Sequence, residues 1–432
     1  MKRVVLALMT VLLALGWMVT GKDLIEKPLE YRKYIAEAQN YESQKIYVTA
    51  IDRYQKALAL NPSSLKLQLA MAEDYRLMGD EITFTNRCIT LTEQNNYPEE
   101  PTVALAQYYI DKKNDEKAVK LLQKALKEHK NNKKFNELFD QVRYSYDDCM
   151  LYYDKIMDLR NDSATVIQND QYGLIKINGK RILSADKTYV SALSSERDAI
   201  SVIEDGETFI TNADGYRIYV PQQDQKIDDI GTLQQGVTYA RNNGKYGYID
   251  EEFNALSPFE WDDATIITDS VGAVKKGEKW ALINNKFQTT TDFKYDDIKY
   301  DDYKYCSITG RVFVKEADGY HMVDGNGKEI GADVYEDAVP FVGNEPTAVC
   351  KGGKWGFVDT DGKMVIEPQY EGARAFNGGL APVKTASGWG YINAAGTMVI
   401  EDSFTDAKSF YKGYAPVLRG TSWTIIELYV KE

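Results

Sequence analysis

Three regimes of apolar and polar residues follow one another along the chain. Behind Lys2 and Arg3 runs an uncharged apolar stretch from Val4 to Thr20. Its place, length and basic flank predict a secretory signal or a short membrane anchor over residues 1–21, with the bulk of the protein outside the cytoplasm. From Pro28 to Asp140, apolar residues recur at helical spacing in sequence rich in Ala, Leu, Lys and Glu and poor in glycine, which predicts helices over residues 28–140. Residues 141–432 turn to short strand-like runs between turn residues. Val383 falls in one such strand, Trp389 to Asn393 in a second and Met398 to Ile400 in a third, with turns at the Ser-Gly and Ala-Ala-Gly between them. The expected fold class is multidomain α + β, a helical array followed by an all-β domain.

The helical part has an internal period. Tyr41, Ala50 and Ala57 are followed one fixed interval later by Tyr75, Phe84 and Leu91, and after the same interval again by Tyr109, Ala118 and Ala125. With Tyr54, and Pro62 ending the unit, this spacing resembles the tetratricopeptide repeat, a unit of about 34 residues, which implies three helix pairs with small residues where the helices touch. Ala38 stands where that family commonly has glycine, and Phe84 and Cys88 depart from its pattern, implying looser packing in the second pair. Phe135, Leu138, Phe139 and Val142 predict a final helix that covers the last open face. By the resemblance, the first helices would form a concave groove for a peptide or protein partner, presenting Gln39 and Glu42, then Glu73 and Arg76, then Gln107. The Lys and Asn pattern that clamps a C-terminal carboxylate is not at these positions. The alternative is a spacer holding the β part away from a membrane.

The β part repeats as well. Eight anchors, Tyr172, Thr208, Tyr246, Trp280, Tyr320, Trp355, Trp389 and Trp423, recur at nearly even intervals, the longest of them between Trp280 and Tyr320. Six residues before them stand Val166, Val202, Ala240, Val274, Val314, Val349, Val383 and Val417. Three residues after stand Ile175, Thr211, Ile249, Ile283, Val323, Val358, Ile392 and Ile426. Gly179, Gly215, Gly327, Gly362 and Gly396 mark tight turns seven residues past their anchors. Each unit therefore reads as three short strands.

Residues 354–376, KWGFVDTDGKMVIEPQYEGARAF, are nearly repeated from Gly388. These units resemble the bacterial WG-repeat family, whose consensus is close to G-K-W-G-[FY]-[IV]-D-x-x-G-K-x-V-I-x-P-x-Y. Unit two has lost the Trp-Gly, and unit four reads WALINNKF. The resemblance implies a binding or structural role and supplies no catalytic residues. Trp-Gly is either a duplicated site or part of the fold. In the packing account the glycine lets the neighbouring unit or its own indole lie flat, and the indole fills the space between successive sheets. The last unit has no room for a third strand, so Val142 to Tyr146 is expected to pair with it and close a propeller-like ring; the alternative is an open β-solenoid.

Composition narrows the chemistry. Of 52 Lys+Arg and 65 Asp+Glu, 22 and 21 lie in residues 1–151, leaving 30 and 44, a net of −14, for the remainder. Such a surface repels phosphate backbones, which argues against nucleic-acid binding. Four cysteines, Cys88, Cys149, Cys306 and Cys350, form no CxxC pair, so no metal site is expected, and spacing fixes no disulfide. With 2 histidines, His129 and His321, no Ser-His-Asp arrangement arises, and no phosphate loop, GxSxG or HExxH is present. Asp359 to Gly362, DTDG, begins like a calcium loop but sits on a hairpin turn. The acidic stretch Tyr295 to Tyr305, YDDIKYDDYKY, lies in the longest interval between anchors. It reads as a solvated inserted loop, or else as an acid-base pair or a partner-facing surface.

These readings converge on a non-enzymatic, extracytoplasmic interaction scaffold without cofactors, membrane-tethered or secreted, with a protein or peptide partner. A cell-envelope glycan-binding module is the alternative, and a hydrolase using the acidic loop the third reading.

Overall fold

A computed structural model describes residues 27–431 except Ser195, Arg197 and Asp224, and the chain divides into two compact units between Arg143 and Tyr144. The apolar segment expected to be a signal or anchor lies outside the described residues. Among those described, no helix is long and apolar enough to cross a membrane.

The helical unit keeps the period of its sequence. Residues 27–43 form α1, followed by α2 (Tyr47–Leu60), α3 (Leu65–Leu77), α4 (Glu81–Gln94), α5 (Glu99–Asp111), α6 (Asp115–Glu128) and α7 (Lys133–Val142). Second helices begin at Tyr47, Glu81 and Asp115, and α3, α5 and α7 at Leu65, Glu99 and Lys133, each one repeat length after the last. By this spacing α7 is the first helix of a fourth pair, and Phe135, Leu138, Phe139 and Val142 are buried in the core shared with α3 to α6. Ala38, Ala72 and Ala106 are fully buried, as are Ala50, Phe84 and Ala118. Phe84 lies edge-on to Tyr108, with centroids 5.1 Å apart. Asp80, Asn114 and Asn132 cap α4, α6 and α7 by accepting from the backbone N–H of Thr83, Lys117 and Phe135.

The second unit is an eight-bladed β-propeller, a ring of eight small antiparallel sheets. Each anchor lies at the start of the strand that follows a blade's first hairpin turn; blades are numbered here in chain order, from that of Tyr172 to that of Trp423. Blade 6 shows the pattern, with strands Asp337–Ala338, Thr347–Lys351, Lys354–Val358 and Met364–Tyr370. The sequence predicted the last three. The innermost strand has only two residues, too short to show alternation. In blades 3, 4 and 5 the outermost strand shrinks to isolated bridges, Tyr246↔Trp261, Trp280↔Tyr295 and Tyr320↔Tyr335.

All sixteen residues of the two apolar columns are buried. The buried apolar side chains form eight clusters, each drawn chiefly from two successive blades. Trp280 packs against Val312, Val314 and Val323 of the next blade, and Trp423 against Ile156, Val166 and Ile175 of the first. Aromatic anchors thus fill the spaces between sheets.

The glycine of Trp-Gly is crowded by something other than the next blade or the indole. A Cβ on Gly356 would stand 2.5 Å from Ile366 O and 2.7 Å from Pro368 N, and one on Gly390 2.6 Å from Ile400 O. These atoms belong to the outermost strand of the same blade. Its register jumps from Trp355↔Tyr370 to Phe357↔Ile366, so a bulge presses its backbone onto the glycine. In blade 8 the outermost partner pairs without a bulge, and the position is Thr424.

That partner closes the ring. Tyr144–Asp148 pairs antiparallel with Ser422–Val430, from Tyr144↔Val430 to Asp148↔Ile426. The closing strand starts two residues later than the sequence suggested, because Val142 still belongs to α7. Closure removes the open edge.

Candidate functional site

In the helical unit, Gln39, Glu73 and Gln107 occupy the same position of three successive repeats, on α1, α3 and α5. Gln39 and Gln107 are exposed and Glu73 partly so. Arg76 Nε donates to Glu73 Oε2 at 2.6 Å, and Gln107 Nε2 donates to Asp111 Oδ1 at 2.8 Å. Glu42 is turned to a different use: its Oε1 accepts from Tyr54 OH at 2.8 Å. Beside it Asp74 is 1% exposed, and burial first, then the Glu42 carboxylate, pushes its carboxyl up to about 7. Sequence reading missed Asp74, which sits among alternating polar residues with nothing to mark it as buried.

In the propeller, each innermost strand passes its next residue toward the axis. In blades 5, 7 and 8 that residue is a cation lying over the blade's own anchor. Lys299 Nζ is 4.5 Å from the Tyr320 ring centroid, Arg374 Cζ 4.6 Å from Trp389 and Lys408 Nζ 5.7 Å from Trp423. Each cation then pairs with a carboxylate of the next blade round: Lys299 with Asp337 at 2.7 Å, Arg374 with Asp406 at 2.6 Å, and Lys408 with Asp158 at 3.1 Å. A partial girdle of aromatic, cation and carboxylate therefore staples blade 5 to 6, 7 to 8 and 8 to 1 at the axis. Burial works against the charge on Lys408, but Asp158 and Asp302 hold its pKa above the ordinary lysine value. Burial likewise opposes the Asp302 carboxylate, yet Lys408 keeps it below the usual range.

The acidic stretch is not a solvated loop. Its second half folds into the axis as a plug. Tyr303 is 4% and Tyr305 1% exposed. Asp301 pairs with Arg160 and Asp302 with Lys408. Tyr303 OH accepts from Thr165 N at 2.9 Å, Tyr305 OH donates to Gln234 Oε1 at 3.3 Å, and Ile266 N donates to Lys304 O at 2.9 Å. One loop of blade 5 thus engages blades 1, 3, 4 and 8. The first half is committed too: Asp296 pairs with Lys279, and Asp297 accepts from Tyr320 OH at 2.5 Å. Asp301 and Asp302 both line the axial cavity, but each is held in a salt bridge, to Arg160 and to Lys408, and Asp296 and Asp297 are not among its lining.

Beside the plug remains a cavity of about 670 Å³, walled by blades 1, 5, 6, 7 and 8, with Asp158, Tyr300, Asp337, Trp355, Asn377 and Tyr411 among its lining. The remaining anchors are structural in placement. Tyr246, Trp280, Tyr320 and Trp423 are buried, while Tyr172, Trp355 and Trp389 are half-buried between blades. His321 lies between Asp318 and Glu329, at 2.8 and 3.5 Å, and His129 Nε2 is 2.7 Å from Asn96 O. Asp359 Oδ1 accepts from the N–H groups of Asp361 and Lys363, which makes DTDG a turn. All four cysteines are free. Among the described residues, no group of three or more His, Cys, Asp or Glu is placed to hold a metal ion.

The WG-containing repeat family matches residues 246–280, 355–386 and 389–420. Tetratricopeptide repeat protein 21B of Xenopus laevis is 27% identical over 134 residues, 30% of this chain and 10% of that protein. Tetratricopeptide repeat protein 21A of Mus musculus is 31% identical over 108 residues, 25% and 8% of the respective chains. The chain thus spans a tenth or less of these relatives. Among solved structures, the Sgt2 TPR domain from Aspergillus fumigatus aligns at 19% identity and TM-score 0.23, covering 26% of this chain and 76% of that one. Kluyveromyces lactis Hsv2p aligns at 10% identity and TM-score 0.34, covering 64% and 97%. Tetratricopeptide-like helices and WG repeats together are the make-up of a protein-interaction repeat protein.

Proposed function

We propose that this chain is a non-enzymatic scaffold that works outside the cytoplasm, tethered or exported through its N-terminal apolar segment. Its helical unit takes an extended peptide or protein partner, and the propeller offers a second surface. The observation that supports this most is the recurrence of Gln39, Glu73 and Gln107 at one position of three successive helix pairs. A row of polar side chains at repeat spacing suits an extended chain, whose own groups recur at a regular interval. The commitment of the acidic-loop carboxylates to cations and a tyrosine hydroxyl favours a scaffold over a hydrolase.

The test immobilises residues 22–432 and offers solubilised cell-envelope protein. A partner held by the wild-type chain and released by the Q39A/E73A/Q107A variant, with unchanged helical circular dichroism, is the expected result. A partner held equally by both, or none above bare matrix, excludes the helical face. Export is tested separately by protease accessibility in intact cells, where protection of the whole chain would refute it.

A further inference from the structure

Between the blades that carry these staples, blade 6 lacks one, as do blades 1 to 4, where Met157, Ser191, Gly231 and Thr265 follow the innermost strand. Val339 stands in blade 6 where blades 5, 7 and 8 carry Lys299, Arg374 and Lys408, and Gly372 stands in the next innermost strand where Asp337 and Asp406 stand in theirs. Both charges of that staple are gone together. Trp355, the anchor of this blade, accordingly has no cation over its ring among the described residues, whereas Trp389 and Trp423 have the staple cations Arg374 and Lys408 over theirs, and Trp280 has Lys275 from the adjacent strand. Trp355 is half-buried and lines the cavity, while Trp280 and Trp423 are 3% and 9% exposed.

We propose that this cavity is a binding site for a neutral saccharide, one ring of which stacks on Trp355. The neighbourhood selects the ligand by charge. A cation over Trp355 would find Gly372 where the other staples have their carboxylate, and an anion would find the lining cations Arg160, Lys299, Lys304, Arg374 and Lys408 each already paired with a carboxylate. The charges already present neutralise one another: Lys299 with Asp337, and Lys408 with Asp158 and Asp302. A charged ligand would have to break such a pair in a partly desolvated space. A neutral polyol has no such requirement. Its hydroxyls can use the spare lone pairs of Asp337 and Asp158 and the amide of Asn377 while the pairs stay intact, and its C–H face covers the indole beside Val339. The volume of about 670 Å³ lies within the usual range for small-molecule sites, and Tyr300, 39% exposed on the wall, offers a second flat surface.

This inference uses nothing of the helical unit and stands or falls apart from the scaffold reading. The test titrates the whole chain with cellobiose, maltose and N,N′-diacetylchitobiose, followed by calorimetry and tryptophan emission. Saturable one-to-one binding of at least one disaccharide is expected. Val339→Lys, which puts a cation back over Trp355, should weaken it by about tenfold or more at unchanged Tm. If that variant does not fold, Trp355→Phe, which keeps an aromatic between the blades, should weaken binding by a smaller factor. Three results would each overturn the proposal: no binding of any of the three at millimolar concentration, binding indifferent to both substitutions, or binding of trilysine in place of every sugar.

Discussion

Asp301, in the fifth blade, holds Arg160 of the first by a salt bridge at the axis of the ring. The guanidinium lies 3.8 Å over the Tyr305 ring, and the carboxylate also accepts from the N–H groups of Tyr303 and Tyr305. Blade 5 therefore reaches blade 1 without passing through the blades between. Replacing Asp301 by Ala would leave a buried cation without its partner and is expected to destabilise the propeller by about 3–5 kcal/mol. Every tryptophan among the described residues lies in this unit, so urea unfolding followed by tryptophan emission reads it selectively. The R160M/D301A pair should lose less than D301A alone; an equal loss would mean that the plug is held by its tyrosines.

Glycines in the β unit divide by what surrounds them. Gly390→Ala would drive a Cβ to within 2.6 Å of a backbone carbonyl that cannot retreat without undoing the bulge, so a loss of about 1–3 kcal/mol is expected. Gly343 has open space within 4 Å of where a Cβ would stand, and no left-handed backbone. Gly343→Ala should be neutral or slightly stabilising by the same emission assay. Equal behaviour of the two variants would remove the close-approach account.

The eight-fold repeat was legible because its signal is redundant: two buried columns, valine in seven copies of the first and isoleucine or valine in seven of the second, outvote any single lost motif. Copy two kept Val202 in the first column and a buried Thr211 in the second after losing Trp-Gly, and it still forms a blade. The axial chemistry was not legible. Lys299, Arg374 and Lys408 look like surface lysines and arginine in the sequence, since nothing local shows that a two-residue strand delivers them to the axis. The acidic stretch misled for the same reason. Charges separated by one or two residues read as solvated, and only closure of the ring brings Arg160 and Lys408, 141 and 106 residues away, to its carboxylates.

Closure itself can be trapped. Ser145 and Tyr429 face each other across the strands that join the beginning of the propeller to its end. Facing residues of antiparallel strands have Cα atoms about 4.5–5.5 Å apart, within reach of a disulfide. In a Cys149→Ser background, S145C/Y429C should cross-link on mild oxidation, seen as one linked peptide by mass spectrometry, and stabilise the propeller by up to about 5 kcal/mol. An open solenoid would give no such peptide.

The helical unit makes a prediction of opposite character, through Asp74. Asp74 is 1% exposed, and Glu42, Glu73 and Tyr54 surround its carboxyl. Burial above all raises its folded pKa to about 7, against about 3.9 in an unfolded chain. Between these values the folded unit holds a proton that the unfolded chain has released, so stability falls as pH rises through that window and is level above it. The loss is on the order of a few kcal/mol. Asp74→Asn carries the neutral form at every pH and should abolish the slope, matching the wild type near pH 4 and exceeding it at pH 8. Urea melts followed by helical circular dichroism at pH 5 and pH 8, for both chains, decide it. A wild-type advantage at pH 8 would show that Asp74 is ionised in the fold and finds a cation there.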